Sequence, residues 1–256
     1  MNSRIQSRRL RRFFSSNALP GTGEEMILPV HESSNLRDVL RLGAGEHCLV
    51  TDGKGREAQA KILGFRTNGA ARLVIEKVSM TENPQNHLVI RAFPALPQKG
   101  KMDDLIQKAQ ELGVDEILPV ETRHTVIKIP QASWPRVQTR WNRIAQEAAK
   151  QSGALRLLQI HAPVSFERAL RSIPEREQIA IFDPRDPAEP FGGWIRSLEF
   201  TLPVSLFWGP EGGFSAEELK LACSLRGASV VKLTDSILKV DTAFLGVISA
   251  LRFVWN

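Results

Sequence analysis

The sequence predicts an α/β protein in two parts, a small N-terminal β-barrel and a larger domain built on a mostly parallel sheet. Up to about residue 78, short β-like runs are separated by glycine turns, and Asp52-Gly53 and Asn68-Gly69 are typical of hairpins. From residue 87 onward, strand-like and helix-like segments alternate, which favours parallel strands covered by helices. We therefore expect domains over 1–82 and 87–256, with a polar hinge around Pro84.

Turn signals and hydrophobic periodicity place the individual elements. In the first domain, the expected strands cover 46–51, 56–63 and 70–78. In the second domain, apolar residues at helical spacing predict helices over 102–112 and 137–148, and an apolar helix is expected over 242–255. The strands expected between these helices are 88–92, 116–120, 179–183, 204–208 and 230–233.

A glycine-rich turn, Gly209 to Gly213, follows one of these strands and leads into a helix. Ser215 and Glu218 have the spacing of a capping box at the start of that helix. Glycines leave backbone groups bare, so a flat ligand could lie against the turn. Glu211 opposes a phosphate, and no lysine follows Gly213, so the turn is not a phosphate loop and suits a neutral or cationic ligand. A structural turn without a ligand is the alternative that local chemistry leaves open.

A second loop, 234–241, joins a strand to the last helix. In parallel sheets, ligands bind beyond the carboxyl ends of the strands, and both this loop and the glycine turn lie at such ends. Lys239 projects from the loop, and Asp241 or Thr242 is the expected cap of the helix. A capped helix with a solvated lysine is the alternative interpretation.

Composition limits the classes of partner. The net charge of +6 and the pI of about 9.6 favour a polyanion, nucleic acid first. No apolar run approaches the ~20 residues that span a bilayer, so we expect no membrane partner. The two cysteines, Cys48 and Cys223, lack metal-site spacing, so no metal is expected and a reducing compartment fits.

The N-terminus is rich in arginine and serine, with no acidic residue before Glu24. We interpret it as a basic arm that faces RNA, formed by Arg8, Arg9, Arg11 and Arg12, with Phe13 and Phe14 as the first core residues. This interpretation places the protein in the cytoplasm. The alternative is an organellar presequence.

Taken together, the two loops resemble the SPOUT superfamily of knotted methyltransferases. The similarity lies in GPEGGFSAEE at 209–218 and ILKVDTA at 237–243, ahead of a C-terminal helix. In particular, the chain resembles the family of 16S ribosomal RNA uridine N3-methyltransferases, the small-subunit methyltransferase E type. The segments that extend this resemblance over nearly the whole chain are Arg12-Phe13-Phe14, Lys99 to Met102, Glu111 to Val114, Thr122 to Lys128 and Trp141 to Gly153.

The resemblance implies a deep trefoil knot in the C-terminal domain, a PUA-like barrel before it, S-adenosylmethionine as cofactor and a homodimer acting on small-subunit ribosomal RNA or its precursor particle. The implied catalytic residues are Lys239 and Asp241. The implied cofactor-binding residues are Phe207, Gly209, Pro210, Glu211, Gly212, Gly213, Leu233, Ile237, Leu238, Thr242 and Ala243. The expected RNA-binding residues are Arg8, Arg9, Arg11, Arg12, Arg41, Arg123, Gln151 and Arg156.

The chain departs from the family pattern mainly on the side expected to face the substrate. Lys239 replaces an arginine, Asp241 a glutamate and Thr234 a glycine. Lys150 stands where glutamate is usual, and Ala154 where arginine is usual. These substitutions motivate two alternatives: an RNA-binding protein on the same scaffold with altered catalysis, and a methyltransferase with a different RNA target. None of the five histidines is assigned a role.

Overall fold

A computed structural model describes residues 10–80, 87–97, 100–185 and 187–255. The chain divides into two compact units between His87 and Leu88. The predicted hinge around Pro84 lies outside the described residues, as do Arg8 and Arg9 of the predicted basic arm.

The N-terminal unit is a five-stranded sheet in the order β1-β3-β4-β5-β2, in which β1 and β3 are parallel and the other pairs are antiparallel. A short helix, α1, and a π-helical turn at Asn35–Val39 follow β2. Strands β1 and β2 form its two edges, so hydrogen bonding among the described residues does not close a barrel. The bounds are β1 Arg12–Phe14, β2 Glu25–Ile27, α1 Val30–Ser34, β3 His47–Thr51, β4 Arg56–Phe65 and β5 Ala71–Met80.

The two predicted hairpins are confirmed. In the β3–β4 turn, the Asp52 carboxylate accepts a hydrogen bond from the Lys54 backbone N–H at 2.8 Å, and Gly53 has a φ of 69°. In the β4–β5 turn, the Asn68 side chain accepts from the Ala70 N–H at 3.1 Å. In each turn, the side chain bonds a backbone N–H of the residues that connect the two strands. The hairpins thereby form the centre of the N-terminal sheet.

The C-terminal unit is a seven-stranded sheet in the order β12-β14-β11-β13-β6-β7-β9, and every neighbouring pair in it is parallel. A two-stranded parallel sheet, β10-β8, lies beside it. The predicted mostly parallel α/β architecture is therefore confirmed. The strands are β6 Ile90–Pro94, β7 Glu116–Ile117, β8 Val120–Glu121, β9 Gln159–Ile160, β10 Val164–Ser165, β11 Gln178–Phe182, β12 Glu189–Pro190, β13 Val204–Trp208 and β14 Ala228–Lys232. The helices are α2 Lys101–Glu111, α3 Trp134–Ser152, α4 Phe166–Arg171, α5 Phe191–Ser197, α6 Ala216–Cys223 and α7 Val240–Trp255.

One predicted strand of this unit is wrong. The segment expected to be a single strand over 116–120 forms two short strands, β7 and β8, which belong to different sheets. Pro119 lies between them and has no N–H to continue a ladder. The break turns the chain out of the main sheet and into the segment that carries Thr122 to Thr125.

The predicted cap of the last helix is also wrong. Helix α7 begins at Val240, so Asp241 and Thr242 lie in its first turn rather than before it. The first bond that the loop makes with this helix runs from the Ala243 N–H to the Lys239 carbonyl at 2.9 Å. Because the helix starts earlier than predicted, Lys239 lies directly before its first residue.

The two cysteines occupy contrasting environments. Cys48 is buried in the N-terminal core, and burial raises the pKa of its thiol to about 12. Cys223 is exposed at the end of α6. Within the described ranges, none of the helices combines the length and apolarity required to cross a membrane.

Candidate active site

A cavity of about 560 Å³ lies at the carboxyl ends of β11, β13 and β14. Three strand-end segments line it, namely 182–185, 208–213 and 231–240, and Lys101 of α2 and Ala243 of α7 complete it. It brings together ten of the residues predicted for the site. These are Gly209, Pro210, Glu211, Gly212, Gly213, Leu233, Ile237, Leu238, Lys239 and Ala243.

Phe207, Asp241 and Thr242 do not line this cavity. Phe207 is fully buried and stacks on Phe93 with ring centroids 4.3 Å apart, on the face of the sheet away from the cavity. Successive strand residues point to opposite faces, so the cavity is lined by Trp208 instead. The prediction of Phe207 as a residue of the site is thus off by one position in the strand.

The glycine turn begins α6 as predicted. The Ser215 hydroxyl accepts from the Glu218 N–H at 3.2 Å, and the Glu218 carboxylate accepts from the Ser215 N–H at 2.8 Å, so the capping box is confirmed. Within the turn, the Gly213 N–H donates to the Pro210 carbonyl at 2.8 Å, and Gly213 has a φ of 68°. A left-handed residue at this position favours glycine.

The turn is packed against protein at two glycines where we expected bare backbone. A Cβ on Gly209 would lie 3.1 Å from the Phe214 ring, and one on Gly212 would lie 3.1 Å from Cβ of His124. These two positions require glycine because neighbouring side chains approach the main chain closely. Protein fills the side of the main chain on which a Cβ would stand, and other atoms of both glycines line the cavity.

Side chains from three other segments reach the turn, and sequence reasoning missed all of them. Lys101 Nζ lies 3.8 Å from the Glu211 carboxylate, which reduces the negative charge at the turn. His124 Nδ1 lies 3.1 Å from the Gly212 carbonyl and 3.0 Å from the Gly213 carbonyl. Arg185 donates to the Phe214 carbonyl at 2.6 Å. Arg185 follows the predicted strand over 179–183, so the strand-end rule could have found it; His124 had no comparable local signal.

The loop after β14 supplies an exposed cation. Lys239 is exposed at the cavity, and among the residues that the structure describes no carboxylate lies within 4.0 Å of its ammonium group. In the same loop, the Thr234 hydroxyl donates to the Ser236 carbonyl at 2.8 Å, and Ile237 is 86% exposed. Thus Lys239 is available to an anionic group that enters the cavity.

The predicted RNA-binding residues of the N-terminal unit differ in availability. Arg11 and Arg41 are exposed, and Arg41 has a φ of 56°. Arg12 is half-buried, and its Nε donates to the Glu57 carboxylate at 2.7 Å. The guanidinium of Arg12 thus already pairs with a carboxylate, and its assignment to RNA stays a prediction.

The predicted RNA-binding residues of the C-terminal unit lie on two segments. Arg123 is exposed beside α6, where its backbone N–H donates to Glu218 at 2.8 Å. Gln151 is exposed in the last turn of α3, and Arg156 is half-buried after that helix. A search of the described residues finds no group of three or more histidine, cysteine or acidic residues that could hold a metal ion.

A family model described as an RNA methyltransferase domain matches residues 83–252, two thirds of the chain and the whole of this site. The chain belongs to the RNA methyltransferase family. A second family model, described as an RNA methyltransferase PUA domain, matches residues 36–75.

Relatives of this methyltransferase family match over most of the chain. The ribosomal RNA small subunit methyltransferase E of Bacillus subtilis is 26% identical over 91% of this chain and 88% of its own length. Its namesake in Synechocystis is 31% identical over 81% of this chain and 66% of its own length. The crystal structure of the Neisseria gonorrhoeae enzyme of the same name, bound to S-adenosyl methionine, has a TM-score of 0.82 at 26% identity and covers 96% of this chain and 98% of its own.

Proposed function

We propose that the protein is an S-adenosylmethionine-dependent methyltransferase that modifies N3 of a uridine in small-subunit ribosomal RNA. The observation that carries this proposal is the cavity in which the glycine turn and the Lys239 loop meet, at the carboxyl ends of three parallel strands. Family membership supplies the reaction class, and the names of the relatives supply the RNA.

The lining of the cavity fits this cofactor. Its volume is within the range of about 300–1,000 Å³ typical of ligand sites. Phe182, Trp208 and Leu238 provide apolar walls for a flat ring. The Glu211 carboxylate suits a cationic centre such as a sulfonium.

Lys239 is the proposed catalytic cation. When bound, the cofactor supplies an electrophilic methyl group. Uridine N3 carries a proton and is a poor nucleophile until that proton leaves, so a nearby ammonium stabilises the anionic uracil that forms. Lysine provides this charge but lacks the paired, planar N–H donors of arginine, so it orients the base less specifically. Asp241 does not line the cavity, and we assign it no contact with substrate.

We propose that the exposed basic residues position the RNA through its phosphates. In the N-terminal unit these are Arg11 and Arg41, and in the C-terminal unit Arg123; the exposed Gln151 and the half-buried Arg156 are proposed to act with them. The net charge of +6 supports this role, because positive charge attracts the phosphates of an RNA. Contacts to phosphates position the RNA without reading its sequence.

The remaining features of the family are proposed on the same grounds. The meeting of three strand-end loops beside α7 supports a trefoil knot, and the match to a PUA domain supports closure of the N-terminal sheet into a barrel. We further propose a homodimer and a cytoplasmic location. Gel filtration with light scattering tests the dimer, and a fluorescent fusion tests the location.

Two measurements test the function against its alternatives. Calorimetric titration with S-adenosylmethionine should show saturable binding. If the protein binds RNA but not the cofactor, the result supports the alternative of an RNA-binding protein with altered catalysis. Mass spectrometry of ribosomal RNA from cells with and without the gene should show one uridine that loses a methyl group. Cofactor binding without such a change would indicate a different RNA target.

A further inference from the structure

Three consecutive carbonyl groups, the last two of the glycine turn and that of Phe214 directly after it, accept hydrogen bonds from side chains of distant segments. His124 reaches the carbonyls of Gly212 and Gly213 at 3.1 and 3.0 Å, and Arg185 reaches that of Phe214 at 2.6 Å. A turn with two adjacent glycines has many accessible conformations, so these contacts remove freedom that the sequence of the turn permits.

The contact of His124 is specific in its chemistry. A carbonyl oxygen only accepts hydrogen bonds, so Nδ1 must carry the proton that both carbonyls share. The missing Cβ at Gly212 lets the imidazole approach, since a Cβ there would lie 3.1 Å from Cβ of His124. The contact of His124 therefore depends on glycine at position 212.

The segment that carries His124 is itself held in place. The Thr122 N–H donates to the Thr125 hydroxyl at 2.9 Å, and the Thr125 N–H donates back to the Thr122 carbonyl at 3.1 Å. Next to His124, the Arg123 N–H donates to the Glu218 carboxylate at 2.8 Å, the same carboxylate that caps α6. The histidine thus projects from a closed turn that is bonded to the helix after the glycines.

Arg185 is oriented just as firmly. Its Nε and Nη2 donate to the two carboxylate oxygens of Asp183 at 2.7 and 2.6 Å. Asp183 is 2% exposed, so its buried charge depends on this bidentate partner. Nη2 carries a second N–H, and this bidentate pairing directs it at the Phe214 carbonyl.

We propose that His124 and Arg185 are positioning residues that clamp the glycine turn in its cofactor-binding shape. The inference rests on the proposed function, because it assigns the clamp to binding of S-adenosylmethionine. A site that is competent only part of the time binds more weakly in proportion to that fraction. The clamp raises this fraction before the cofactor arrives and so raises affinity.

His124→Ala and His124→Asn separate this role from a general structural one. The asparagine amide nitrogen replaces Nδ1 as a donor at the same distance from the backbone, whereas alanine has no donor. By calorimetry, His124→Ala should weaken S-adenosylmethionine binding about tenfold, the loss of roughly one hydrogen bond, and His124→Asn should stay within about threefold of wild type. The turnover at saturating cofactor should change little in both variants.

His161→Ala is the matched control, because His161 also bonds through its ring, to Glu116 at 2.9 Å, but lies outside the cavity. It should leave cofactor affinity unchanged. Amide hydrogen exchange of 209–218 without cofactor gives an independent readout, and it should accelerate in His124→Ala and recover in His124→Asn.

The outcomes separate the two claims. If wild type binds no S-adenosylmethionine, the proposed function fails, and the clamp loses its purpose with it. If wild type binds but His124→Ala binds equally well, only the inference fails. Equal losses in the alanine and asparagine variants would also overturn it, since the donor would then be irrelevant.

Discussion

Gly209→Ala tests the packing of the glycine turn directly. The added methyl group would lie 3.1 and 3.2 Å from two carbons of the Phe214 ring, whereas carbon atoms in contact normally lie about 3.5–4.0 Å apart. The ring cannot retreat, because Phe214 is fully buried and packs on Phe166 with centroids 5.1 Å apart. The entry of the turn must shift by several tenths of an ångström instead.

Overpacking of this kind costs about 1–3 kcal/mol of folding free energy. At about 2–4 °C per kcal/mol for a domain of 150–250 residues, a loss of 2 kcal/mol lowers the melting temperature by about 4–8 °C. Cofactor affinity should fall as well, because Gly209 itself lines the cavity.

Differential scanning calorimetry and cofactor titration measure both effects, with Gly246→Ala as the control. Gly246 lies within α7, and a Cβ there meets no atom within 4 Å. Alanine in that helix should stabilise the protein by about 0.5–1 kcal/mol. A melting temperature and affinity for Gly209→Ala equal to those of wild type would refute the reasoning, because the Phe214 ring would then be free to move.

Three further predictions concern charge and capping. Lys239→Ala should abolish methyl transfer in a radiolabel assay while leaving the cofactor dissociation constant within about twofold of wild type; transfer at the wild-type rate would exclude the role of Lys239. Ser215→Ala should lower the free energy of unfolding by about 1 kcal/mol in urea, and an unchanged midpoint would mean that the capping box is dispensable. A hydrogen bond from His161, with help from Arg91, lowers the pKa of Glu116 from its usual 4.5 to about 2. That carboxylate therefore stabilises the fold above pH 4.5, by about 1 kcal/mol after screening, and the contribution is lost as pH falls towards 2. Glu116→Gln should flatten the unfolding free energy over this range, and an unaltered slope would contradict the assignment.

Local chemistry in the sequence was sufficient for much of the fold. The hairpins followed from Asp52-Gly53 and Asn68-Gly69, and the start of α6 from the spacing of Ser215 and Glu218, because these groups bond within a few residues of themselves. The parallel sheet followed from the alternation of short apolar runs and amphipathic segments.

The errors arise where tertiary packing decides. Phe207 and Trp208 are adjacent in a strand buried on both faces, so the sequence does not tell which one faces the cavity. His124 lies 88 residues from the carbonyl of Gly212, and a single histidine in a polar run has no local pattern that reveals such a contact. The residues that shape the turn could be found only from the way the fold brings the segments together.

The unequal exposure of the two cysteines allows a dye to be attached at one site of the unmodified chain, at the end of the helix that follows the glycine turn. Cys48 is buried, and with a pKa of about 12 its thiol stays unreactive at neutral pH, whereas Cys223 is exposed. A maleimide dye should therefore attach at Cys223 alone, without any engineered site. Because Cys223 ends the helix that the glycine turn begins, the emission of that dye should report movement of α6 as ligands enter.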